Sequence, residues 1–136
     1  MMKWVVVDTN IIFSALIKSE SKIREVLDHS EINFCAPNYL IAEIFKHRNR
    51  IVELSEGSEE EVTELLAKLL ARVKFINEDM IPTSVFIGAY QLCKDVDEKD
   101  TPFVALCLEL DCELWTGDEK LKNGLRMKGF DRFFQK

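Results

Sequence analysis

With 136 residues, 47% of them hydrophobic and 31% charged, the chain suits one compact domain over 1–136 with a full core; a second domain would be too small to stand alone. No apolar stretch approaches the roughly 20 residues a membrane helix needs, and the first strand starts too early to leave room for a signal peptide, so the expected location is cytoplasmic. The formal net charge of −6 speaks against a sequence-blind nucleic-acid coat, but not against a nuclease whose metal ions supply positive charge locally.

In chain order, helical and extended patterns alternate to the end. Lys3-Trp4-Val5-Val6-Val7 reads as a strand buried on both faces, because β-branched residues follow one another without polar alternation. It runs into Asp8-Thr9-Asn10, and a helix follows over about 11–17. Ser21 can cap a second short helix with Ile23, Val26 and Leu27 on one face. Residues 33–36 are a candidate second strand halted by Pro37, and Asn38 caps a helix over about 39–48. Glu53 to Gly57 is a loop. Ser58 and Glu61, at capping-box spacing, open the clearest helix, whose apolar stripe is Val62, Leu65, Leu66, Leu69, Leu70 and Val73.

Residues 73–76 resemble a third strand. A helix over about 83–94 carries Val85, Phe86, Ala89, Tyr90 and Cys93, with a core role expected for Phe86 and Tyr90 ahead of an exposed interface. Thr101, with Pro102 at the first helical position, starts another helix to about Leu110. Residues 113–116 form a fourth strand broken by Gly117-Asp118; a helix over about 119–127 and a weak fifth strand near 130–133 complete the chain. This alternation predicts an α/β fold, three-layer α/β/α, with a central parallel sheet of four to five strands and the apolar first strand near its middle. Cys35, Cys93, Cys107 and Cys112 lack CxxC spacing and read as reduced core thiols. Trp4 and Trp115 lie within strands and read as packing residues.

Two of the strands end in aspartate, Val7-Asp8 and Thr116-Gly117-Asp118, and in a parallel sheet those ends share one edge, where ligands bind. Glu43 is the only charge between Tyr39 and Phe45, and Asp100 directly precedes a helix, beside Asp97. Alone, each has an ordinary use: Asp8 as a helix cap, Asp118 as a turn residue, Asp100 beside a helix dipole, Glu43 facing solvent. Together, carboxylates held a few ångströms apart repel unless a cation neutralises them. Oxygen donors without convergent His or Cys favour Mg²⁺ or Mn²⁺, and such sites hydrolyse or transfer phosphoryl groups.

The four acids in this order resemble those of the PIN domain, the metal-dependent ribonuclease domain that includes the VapC-type toxins of prokaryotic toxin–antitoxin pairs. The resemblance spans nearly the whole chain. It rests on Asp8-Thr9-Asn10, Ala42-Glu43-Ile44, Lys99-Asp100-Thr101-Pro102 and Trp115-Thr116-Gly117-Asp118. Asp97 competes with Asp100 for the third position; Asp100 is preferred because it directly precedes the helix, leaving Asp97 as an outer ligand. The resemblance implies endonucleolytic cleavage of single-stranded RNA at a Mg²⁺ or Mn²⁺ site. Asp8 and Asp100 would hold the principal ion, Glu43 and Asp118 would complete the cluster, and Asn10 and Thr116 would orient carboxylates or water.

Lys46, Arg48 and Arg50, and a second group of Lys120, Lys122, Arg126 and Lys128, are candidate RNA-steering cations, with capping of helix C-termini an equal alternative. An antitoxin protein and a second copy of the chain are the candidate partners. The rival reading from another class is a catalytically silent PIN-like module that binds RNA or protein. A phosphoaspartyl enzyme fits poorly, since Asn10 stands where a dehalogenase-type phosphatase needs a second aspartate.

Overall fold

The computed structural model describes residues 3–18, 22–29 and 31–135. Four strands, β1 (Lys3–Val7), β2 (Ile32–Pro37), β3 (Lys74–Ile76) and β4 (Glu113–Trp115), form one parallel sheet in the order β3-β2-β1-β4. Val5, Val6 and Val7 point alternately to the two faces and none has any exposed surface, so both faces are covered. α1 (Thr9–Ile17) packs with α2 (Lys22–Leu27), α3 (Tyr39–Lys46), α4 (Arg48–Leu54) and α5 (Glu59–Leu70). α7 (Thr101–Leu110) lies on β1, β2 and β4 and packs closely against α6 (Thr83–Cys93), which also touches α8 (Glu119–Met127). This is the expected three-layer arrangement with β1 inside the sheet.

Local chemistry accounts for the boundaries. Ser58 accepts from the Glu61 N–H while Glu61 accepts from the Ser58 N–H, closing the capping box of α5. Gly124 lets α8 approach the turn after α6: a Cβ there would lie 2.6 Å from Val96 Cγ2. Among the described residues no helix is long and apolar enough to cross a membrane. All four cysteines are free and buried.

Several expectations are corrected. The weak fifth strand is a single parallel bridge, Leu114 to Phe133, with Leu114 N–H donating to Arg132 O and Phe134 N–H to Leu114 O. Pro37 does not halt β2 but is its last residue, paired with Ile76. The Asn38 side chain forms no cap; Glu78, in a 3-10 turn at Glu78–Met80, accepts from the Tyr39 N–H instead. The helix expected over about 39–48 ends at Lys46, and α4 restarts after His47 and fills the start of the expected loop. α1 begins at Thr9, two residues early, because Asp8 caps it. Pro102 is the second residue of α7, not the first. Tyr90 is 46% exposed, and so is not a core residue. The Ser21 cap lies outside the described residues.

Candidate metal centre

β1 delivers Asp8 to the carboxyl edge of the sheet, where its N–H still donates to Trp115 O at 2.9 Å. The carboxylate is buried and holds two hydrogen bonds: Oδ1 accepts from Thr9 N–H (2.7 Å) and Oδ2 from the Thr116 hydroxyl (2.7 Å). Thr116 Oγ1 in turn accepts from Asn10 Nδ2 (3.2 Å) and Asp118 N–H (3.1 Å), while Asn10 Oδ1 accepts from Gly117 N–H (3.2 Å). Asn10 and Thr116 therefore tie the start of α1 to the loop after β4 and fix how Asp8 presents its oxygens.

Thr9, which sequence reasoning passed over, is the other organiser. Its buried hydroxyl donates to Glu43 Oε1 at 2.5 Å, so one residue holds Asp8 through its backbone and Glu43 through its side chain. The signal was a hydroxyl directly after a strand-ending aspartate; its partner lies 34 positions away. Asp118 is exposed, and its Oδ1 caps α8 by accepting from Leu121 N–H. Asp97, also exposed, caps the short 3-10 turn at Glu98–Asp100 through Oδ1. Asp100 occupies the cap position of α7 but makes no side-chain cap bond.

The acids act on one another electrostatically. Burial, then the charges of Asp8, Asp97, Glu43 and Asp118, push Asp100 up to about 8. Burial raises Asp8 to about 6; the Thr116 and Thr9 hydrogen bonds oppose it, and Glu43 and Asp118 add to it. The Tyr39 phenol is raised by burial and by Glu43, Asp97 and Asp100. Among the described residues none of these five acids is in an ion pair, and no three metal-ligating side chains stand close enough to hold one ion as they are. The donor set nonetheless fits a hard divalent ion, being all oxygen and lacking any compensating cation. The Asp100 carboxylate has no hydrogen bond among the described residues.

Lys46, Arg48 and Arg50 are exposed and, among the described residues, in no ion pair. The second basic group differs: Lys122 pairs with Glu119 (3.5 Å), Arg126 with Asp131 (3.0 Å) and Lys128 with Asp95 (2.6 Å), leaving only Lys120 without an ion pair there. Trp115 is buried against Phe34 and Phe134, and Lys74 covers the Trp4 ring, as packing residues do.

A family model described as PIN domain matches residues 6–136, and the chain belongs to that family. In fold it is similar to a chain in the crystal structure of VapBC2 from Rickettsia felis bound to a DNA fragment from their promoter. The TM-score is 0.69 at 16% identity, covering 88% of this chain and 92% of that one. No curated protein matches by sequence.

Proposed function

We propose that the chain is a single PIN nuclease domain over 1–136, an endoribonuclease that cleaves single-stranded RNA with Mg²⁺ or Mn²⁺. The observation that carries this reading is the crowding of charge on Asp100: Asp8 at the end of β1, Glu43 on α3 and the loop residues Asp97 and Asp118 raise its cost of ionisation, and among the described residues none of the five is in an ion pair. Asp8 and Asp100 would hold the principal ion, with Glu43 and Asp118 completing the set and Asp97 outside it. When bound, the ion supplies an acidified water as nucleophile and neutralises charge on the scissile phosphate. Thr116 and Thr9 keep the carboxylates of Asp8 and Glu43 facing the site by donating to one oxygen of each. Lys46, Arg48 and Arg50, just beyond Glu43, draw RNA phosphates toward the acids.

The family match and the VapBC2 fold neighbour support a toxin role. It makes a small DNA-binding antitoxin the expected protein partner. Incubation of the purified chain with a single-stranded RNA pool and Mn²⁺ tests the enzyme: internal cuts are expected, and Asp8→Asn or Asp100→Asn is expected to abolish them. Unchanged cleavage in both variants, or none in the wild type with either ion, overturns the reading and leaves the silent binding module.

A further inference from the structure

Toward the N-terminal end of α3, a groove of about 720 Å³ runs between Tyr39, the turn at Glu78–Met80, α6 and the start of α7. That volume suits a small ligand. Its lining is aromatic, with Tyr39, the half-buried Phe86 and the 46%-exposed Tyr90, and it adjoins the acids through Lys99 and Thr101, the two neighbours of Asp100. Asp79 and Glu98 also line it, and among the described residues their carboxylates are in no hydrogen bond or ion pair. Lys99 is the only cation in the lining.

We propose that this groove is a nucleobase subsite for the RNA strand being cut, taking a base that carries an exocyclic amino group. The proposal rests on the ribonuclease reading above. Tyr39, Glu43 and Lys46 recur at i, i+4 and i+7, so one side of α3 presents in turn an aromatic ring, an acid of the site and a cation continued by Arg48 and Arg50. A strand laid along that stripe has its scissile phosphate at Glu43 and Asp100, its phosphates on one flank against Lys46, Arg48 and Arg50, and a base on the other flank against the rings. Stacking on tyrosine tolerates any base. Unpaired carboxylates select: they accept from the amino groups of cytosine, adenine or guanine, whereas the uracil edge offers no amino donor. The same carboxylates repel phosphate, so the groove admits the base and keeps the backbone outside.

Binding of short homopolymeric RNAs to the full chain, followed by fluorescence anisotropy with Ca²⁺ in place of Mn²⁺, tests this. Tyr90→Ala is expected to weaken binding of the cytosine and adenine polymers roughly 5- to 100-fold, with Tyr90→Phe retaining it. Glu98→Gln is expected to narrow their advantage over the uracil polymer. In Mn²⁺ assays Tyr90→Ala raises KM and leaves kcat within about twofold. Tyr90 is half exposed, so its removal spares the fold. Equal RNA affinity in wild type and Tyr90→Ala overturns the subsite while cleavage by the wild type still upholds the nuclease. Loss of binding in Tyr90→Ala without cleavage by the wild type overturns the nuclease reading and, with it, the proposal that the strand bound here is one being cut. A lysine- and arginine-rich peptide that occupies the groove in a Tyr90-dependent way while RNA does not would assign the surface to a protein partner and overturn the proposal.

Discussion

Asp100 and Asp8 set the pH response of the metal-free protein. Their carboxyls sit near 8 and 6 when folded, above the usual value of 3.8, so the native state binds more protons than the unfolded chain between those limits. Stability is therefore expected to fall as pH rises from about 4 to 8, and on the proposed function a divalent ion is expected to restore it at neutral pH. Asp100→Asn removes the larger share of the repulsion: unfolding in urea at pH 7.5 without metal is expected to show it about 1–2 kcal/mol more stable than wild type, although inactive. Thr9→Val keeps the shape of the side chain but takes the hydroxyl from Glu43; Mn²⁺ affinity by calorimetry is expected to drop about 10-fold or more, with Thr9→Ser close to wild type. The proposed acids stand out in the sequence because each sits at a strand end, at a helix start or as a lone charge. The role of Asp8 was not. Cap and site look like alternatives on paper, but a carboxylate has two oxygens: Oδ1 caps α1 and Oδ2 takes the Thr116 hydroxyl.

At the scale of elements, α3 depends on a cap it does not carry. Glu78 accepts from the Tyr39 N–H at 2.9 Å, so Glu78→Ala is expected to cost about 1 kcal/mol in urea unfolding, and Glu78→Gln much less. The capping box of α5 was readable because Ser58 and Glu61 are three residues apart; the cap of α3 spans 39 positions, beyond any local pattern. Asn38 has the composition of a cap but sits in helical backbone geometry, where its side chain makes no cap bond. The same limit explains the tail. Phe130 and Phe133 are three apart, not the two of strand alternation; their rings pack edge to face, and among the described residues a single bridge joins Phe133 to Leu114. The parallel alternation that defines the class is periodic and survived; the break at His47 follows no local signal.

Over the whole molecule, a net charge of −6 makes the position of the unpaired cations decisive for RNA. Reversing Lys46, Arg48 and Arg50 together is expected to weaken RNA binding about 10-fold or more at 0.1 M salt and to flatten its salt dependence. Reversing Lys120 and Lys122 is expected to change it less, because Lys122 is already held by Glu119. Filter binding across a salt series measures both. The sequence patterns place β1 inside the sheet, but the order β3-β2-β1-β4 depends on which edges meet, and that lies in packing across many residues.

The hydrogen bond from Thr116 to Asp8 joins residues 108 positions apart, and the last two acids flank it in the final third of the chain. During synthesis, then, Asp8 and Glu43 emerge long before their companions, and a chain stopped ahead of β4 has no Thr116 to orient the first acid. In the folded chain β4 lies between Val7 and the segment around Phe133, so the strand that carries Thr116 to Asp8 also extends the sheet. On the proposed function, a chain truncated ahead of β4 lacks Thr116 and Asp118 and is expected to show no cleavage.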